Sequence, residues 1–160
     1  MMTEISLNVL DVSENSTRAG ASLVTILVTA DTSADKLTIV IADNGCGMTP
    51  EQAAHVTDPF FTTRTTRKVG LGIPFFKYAA ESTGGSFHIE SEPGKGTTVT
   101  AVFGLSHIDR MPLGDMNATI HNLIVYHPDT DFLYTYTYND ASFTLDTRQM
   151  REILGGIPLN

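Results

Sequence analysis

The chain has 160 residues, 18 acidic and 10 basic, with a formal charge of −8. That length supports one domain with its own core plus a small addition, and the acidity argues against a nucleic-acid or anionic-membrane partner, since either requires a positive face. A single cysteine, Cys46, excludes an internal disulfide and fits a reducing compartment.

The opening Met1-Met2-Thr3-Glu4 lacks the basic flank and apolar run of a signal peptide. Thr3 can cap a helix over residues 4–19, in which Ile5, Val9 and Val12 recur at helical spacing and Gly20 ends the run. Residues 21–30 and 37–42 are rich in Val, Ile and Thr and predict strands joined by a turn at 31–35. The first of these is too short to cross a bilayer, so a soluble cytoplasmic protein is expected. Thr49-Pro50-Glu51-Gln52 predicts a capped helix to about Val56. Residues 57–69 carry no apolar period and read as a loop. Residues 70–83 predict a helix that Gly84-Gly85 stops, and 86–91 and 97–105 predict strands around a Pro/Gly turn.

From Ser106 onward the character changes. Leu113, Met116, Ile120, Leu123 and Ile124 suit an amphipathic helix, and Phe132, Tyr134, Tyr136 and Tyr138 alternate on one face of a strand. Asn139-Asp140 can turn that strand into a second, and Asp146 with Gln149 resembles the capping box of a last helix. The order predicts an α+β fold over residues 1–105, an α/β sandwich with one helical layer on one sheet. A small α/β appendage over 106–160 follows.

Three motifs carry chemistry. In the first helix Asp11 and Asn15, four apart, share a face. An asparagine oxygen suits Mg²⁺, and a carboxylate one turn earlier can prepare a nucleophile; the same pair also suits a plain solvated face. Asp43-Asn44-Gly45-Cys46-Gly47 places an acid at the end of an apolar strand, where it needs a donor such as an adenine amine. Gly45 and Gly47 remove side chains where a flat base approaches, although an Asp-Asn-Gly turn is common. Gly70-Leu71-Gly72 opens a helix whose free N–H groups favour phosphate, and Thr62, Thr63 and Arg64 precede it with hydroxyl and cationic groups.

Taken in order, the Asn helix, the DNGCGM strand end, the PFFTT loop, the GLG helix start, the GG stop and Gly96-Thr97-Thr98-Val99 resemble the GHKL superfamily. That group holds gyrase, the ninety-kilodalton heat-shock chaperones, histidine kinases and MutL. The likeness covers roughly residues 4–105 and is strongest to the histidine-kinase catalytic domain, through Pro59-Phe60-Phe61-Thr62-Thr63-Arg64 and Gly94-Lys95-Gly96-Thr97-Thr98. It implies the Bergerat fold, a two-layer α/β sandwich that binds ATP with Mg²⁺. By the resemblance Asn15 holds Mg²⁺, Asp43 reads adenine with Gly45 and Gly47 beside it, and Thr97 helps Asp43. Thr62, Thr63, Arg64, Gly70, Leu71 and Gly72 meet the phosphates.

Two departures stand out. The lid over 62–69 is short, and Asp11 occupies the place where hydrolysing relatives usually carry glutamate. The segment His107-Ile108-Asp109-Arg110-Met111-Pro112-Leu113 loosely resembles a phosphoacceptor-histidine pattern but follows the ATP domain; a polar loop is the other reading. His55, His88, His121 and His127 show no metal-ligand spacing. The expected function is an ATP/Mg²⁺-dependent regulatory kinase acting on a separate protein. The alternatives are a nucleotide-sensing module without turnover, or a slow ATPase.

Overall fold

The computed structural model describes residues 4–57 and 72–155. They form α1 (Ile5–Arg18), β1 (Leu23–Asp31), β2 (Lys36–Asp43), α2 (Pro50–Val56), α3 (Gly72–Glu81), β3 (Ser86–Glu92), β4 (Gly96–Gly104), α4 (Met116–Tyr126), β5 (Asp131–Tyr138), β6 (Ala141–Asp146) and α5 (Thr147–Leu154). The strands make one mixed sheet in the order β3-β4-β2-β1-β5-β6. Among the described residues only β1 and β5 run parallel.

Register puts the apolar residues on one face. Ile41 lies opposite Ile26 and Val99, and Ile39 opposite Val28 and Ala101, so each row of the core crosses three strands. Asp43 continues the same row pattern, opposite Val24 and Thr97. Helices α1, α3 and α4 cover this face with Val9, Phe76 and Leu123, all fully buried. The Phe76 ring packs edge-on to Phe87 at 6.1 Å and against Phe103 at 6.0 Å. This is the two-layer α+β arrangement expected from the sequence.

Local signals explain several ends. Thr49 and Gln52 form a complete capping box at α2, with Pro50 at its first turn. Asn139 takes φ +51 in the turn from β5 to β6, a conformation Asn tolerates. Asp146 caps α5 by accepting from the Arg148 N–H. The Arg148 guanidinium bonds the same carboxylate and holds its pKa below the usual range.

The start of α1 differs from the sequence expectation. Thr3 lies outside the described residues, and the N-cap is Glu4, whose side chain makes no capping bond. The Ile5 and Ser6 N–H groups instead donate to the Pro112 and Leu113 carbonyls at 2.9 and 2.8 Å. A distant stretch of backbone therefore satisfies donors that a side chain was expected to take.

The segment after residue 105 is built into the same sheet. β5 pairs with β1 along eight residues, from Leu23↔Asp131 to Ala30↔Tyr138. α4 adds Ile120 and Leu123 to the core that α1 also fills. The aromatic stripe is graded: Phe132 and Tyr134 are buried, Tyr136 half-buried and Tyr138 exposed. It is core at one end and surface at the other.

Burial pushes the Tyr134 hydroxyl up to about 12, with Tyr136 adding to the shift. The folded pKa lies above the unfolded value, so the stabilisation is complete below about pH 10 and is lost as pH rises through about 12. Tyr134→Phe is expected to flatten this alkaline loss by about 2 kcal/mol, read from urea midpoints at pH 9 and 11.5. Identical pH slopes for both proteins would refute the assignment.

Candidate functional site

The site is assembled where β2 ends. Asp43 is the last residue of that strand, and alternation turns its carboxylate to the helix-covered face. Two donors fix it: the Ser16 hydroxyl reaches Oδ2 at 2.7 Å and the Gly45 N–H reaches Oδ1 at 2.8 Å. Each oxygen keeps a second acceptor position, so the carboxylate can still take a donor from a ligand. Thr97 faces it from β4, and its hydroxyl meets that of Ser91 at 2.7 Å. Ser91 also accepts from the Met48 N–H at 2.7 Å, which ties the glycine turn to the edge of the sheet.

Ser16 and Ser91 were not singled out from the sequence. The signal existed: Ser16 continues the stripe of Val9 and Val12 toward the core, and Ser91 continues the inward row of Phe87 and Ile89. A hydroxyl at an apolar register needs a partner, and here the partners belong to the site.

The glycines also have an internal role. A Cβ at Gly45 would lie 2.9 Å from the Ala19 carbonyl oxygen and 3.1 Å from Asp43 Oδ1. Gly47 has φ +70, and its Cβ would lie 2.0 Å from the Glu92 carbonyl. The space a side chain would take is filled by the protein's own backbone. Gly47→Ala is therefore expected to cost more than about 2 kcal/mol, from the left-handed backbone plus the clash, with a matching fall in thermal midpoint. An unchanged midpoint would refute this.

On α1, Asp11 and Asn15 are four residues apart, and Asp11 meets the start of α3. A Cβ on Gly72 would meet Asp11 Cβ at 3.2 Å, so the glycine lets the two helices close at the carboxylate. Burial raises the Asp11 pKa, with Arg18 opposing and Glu14 adding to the rise. A carboxylate so placed is a stronger base than one in water. The Asn15 side-chain oxygen accepts from the Arg18 guanidinium at 3.1 Å. A cation would exchange with that guanidinium for the same oxygen. Among the described residues no three His, Cys, Asp or Glu side chains gather as a metal site. One amide oxygen near one carboxylate does fit Mg²⁺ held mostly by phosphates and water. The adjacent Glu14 turns away and pairs with His127 at 2.9 Å.

Thr62, Thr63, Arg64, Gly70 and Leu71 lie outside the described residues. Asp11, Asn15, Asp43, Gly45, Gly47, Gly72 and Thr97 are described. The structure joins Asp43, Gly45 and Thr97 at one end of the sheet, and Asp11 with Gly72 at the α1–α3 seam. Ser16, one residue from Asn15, links the two groups.

Residues 1–107 match the family model of the histidine kinase-, DNA gyrase B-, and HSP90-like ATPases. The chain belongs to this family. Against the sensor protein SrrB of Staphylococcus aureus it is 33% identical over 102 residues, 61% of this chain and 17% of that protein. The chain thus corresponds to a small part of that relative. Two solved structures share its architecture. The N-terminal domain of a DNA repair protein gives a TM-score of 0.64 at 15% identity, covering 91% of this chain and 53% of that one. The MutL ATPase domain of Aquifex aeolicus, complexed with ADP, gives 0.55 at 16% identity, covering 97% and 70%. Both likenesses cover more of the chain than residues 1–107, so they extend into the tail of this histidine kinase-like ATPase.

The His107 segment forms a fixed polar turn. Ser106 donates twice to the Asp35 carboxylate, and His107 Nδ1 accepts from the Asp109 N–H at 3.0 Å. No helical hydrogen-bond pattern holds it.

Proposed function

We propose that this histidine kinase-like ATPase binds ATP with Mg²⁺ and transfers the γ-phosphate to a separate regulatory protein. The observation that carries the reading is the Asp43 carboxylate, oriented by Ser16 and Gly45 and flanked by Thr97. A carboxylate held this way is a preformed acceptor for an adenine amine, and its donors cost no reorganisation on binding. Asn15 would hold Mg²⁺, which supplies charge neutralisation at the phosphates. Asp11, its basicity raised by burial, would take the proton of the attacking hydroxyl or imidazole. Thr62, Thr63, Arg64, Gly70, Leu71 and Gly72 would meet the phosphates. Positioning and electrostatics would supply most of the rate.

A second reading, binding without turnover, is favoured by one observation: Arg18 occupies the Asn15 oxygen. The test follows γ-labelled ATP with Mg²⁺ and pure protein, with Asp43→Asn as the control. Label released as phosphate, or moved onto a protein, and lost in the mutant supports turnover. Label that stays on bound ATP would sink turnover by the chain alone and favour the sensor.

A further inference from the structure

The two edges of the sheet are built differently. Among the described residues β3 and β6 each have one side unpaired. An unpaired edge is a template for another strand, and proteins usually blunt it with charge, proline or a bulge. β3 carries His88, Glu90 and Glu92 at exposed positions. β6 has none of these devices. Ala141 to Leu145 holds no charge and no proline, and the ladder to β5 runs without a bulge from Tyr138↔Ala141 to Leu133↔Asp146. Ala141, Ser142, Phe143 and Thr144 are all exposed, Phe143 to 55%. α5 turns back toward β5, where Arg151 bonds Asp131 and the Pro128 carbonyl, and does not shield them.

The hairpin fixes which groups face outward. A two-residue turn joins Tyr138 to Ala141, so that pair is hydrogen-bonded and the pattern alternates from there. Thr135 and Thr144 then form a non-bonded pair, in which side chains lie closer, and their hydroxyls meet at 3.2 Å. The N–H and C=O of Ser142 and Thr144 therefore point away from β5, at the free edge.

We infer that β6 pairs antiparallel with β6 of a second copy of this chain, about a two-fold axis at Thr144. One register satisfies backbone, apolar and charged groups together. With Thr144 on the axis, the two Thr144 residues exchange both backbone bonds, and the Asp146 N–H donates to the partner's Ser142 carbonyl. Phe143 falls opposite the partner's Leu145, on the face that also carries Tyr134 and Tyr136. Asp140, exposed and without an ion pair among the described residues, falls opposite the partner's Arg148. The two-fold repeats each contact. Two chains of charge −8 repel one another, so an uncharged edge with opposite charges at its ends is a place where they can meet.

The experiment is sedimentation of the full chain across a dilution series. A reversible monomer–dimer equilibrium is expected. Phe143→Lys, which sets a charge against the partner's Leu145, should abolish the dimer with a thermal midpoint within a few degrees of the wild type. Asp140→Arg should weaken it about tenfold, through two like-charge pairs, and adding Arg148→Asp to that variant should restore it. Asp140 lies in an exposed turn, so this swap keeps the test valid should Phe143→Lys fail to fold. Thr144→Cys should oxidise to a dimer whose peptide map joins position 144 to itself, since about 5.5 Å between Cα atoms suits a disulfide. A dimer indifferent to Phe143→Lys, a charge swap without recovery, or a cross-link through Cys46 would overturn the assignment. A chain that stays monomeric throughout would overturn it too. Shifts of the β6 amides on adding acetyl-Thr-Val-Thr-Val-Thr-Val-amide would then give the edge to a strand from another protein.

Discussion

Asp43→Asn is expected to weaken ATP binding by about a hundredfold, close to 3 kcal/mol, while leaving the fold in place. The physical reason lies in the two donors already at the carboxylate. An amide at position 43 would keep its oxygen on the Gly45 N–H and turn its NH₂ toward the Ser16 hydroxyl, which can accept instead of donate. The internal bonds thus survive, but an adenine amine would meet another donor. Calorimetric titration of ATP with Mg²⁺ measures the loss, and thermal unfolding controls for the fold. An affinity within about threefold of the wild type would remove Asp43 from the nucleotide site.

The second large effect concerns the tail. A chain ended at residue 105 is expected not to fold cooperatively. It would lose the carbonyls of Pro112 and Leu113 that satisfy the first turn of α1. It would also expose β1 along its full pairing with β5 and remove Leu123 and Phe132 from the core. Each such deletion from a packed interior costs about 2–5 kcal/mol, against a total stability of about 5–15 kcal/mol. Circular dichroism and amide chemical-shift dispersion would read the outcome. A cooperative melt within a few degrees of the full chain would show that residues 1–105 stand alone.

These two results bear on different levels of the molecule. The first tests a constellation whose parts were recognisable one by one. Asp43, Gly45 and Asn15 could be named because adenine recognition, tight turns and Mg²⁺ coordination would each need such residue types there, and Thr97 because the family resemblance implies it. The second tests an arrangement that composition hid. The shift of character at Ser106 suggested an addition beside the sheet, since strand periodicity says which residues alternate but not which strand they join. The parallel pairing of β1 with β5 spans a hundred residues of intervening chain, and no local signal encodes it.

Glycines show the same division. That Gly45 and Gly47 belong to a tight turn near a ligand follows from their spacing. That Glu92 and Ala19 occupy the space their side chains would need is decided by the packing of β3 and α1.

By itself the sequence determined the order of helices and strands, the α2 capping box, the β5–β6 turn and the residue types of the proposed nucleotide pocket. Those features rest on interactions between near neighbours or on the demands of a ligand. Only the tertiary structure decided that Ser16 holds Asp43, that Pro112 and Leu113 cap α1, and that the Asn8 side chain is buried without a hydrogen-bond partner among the described residues. Each of these depends on which distant groups exclude water together, and hydrogen-bond satisfaction in an interior is a property of the assembled neighbourhood rather than of any segment.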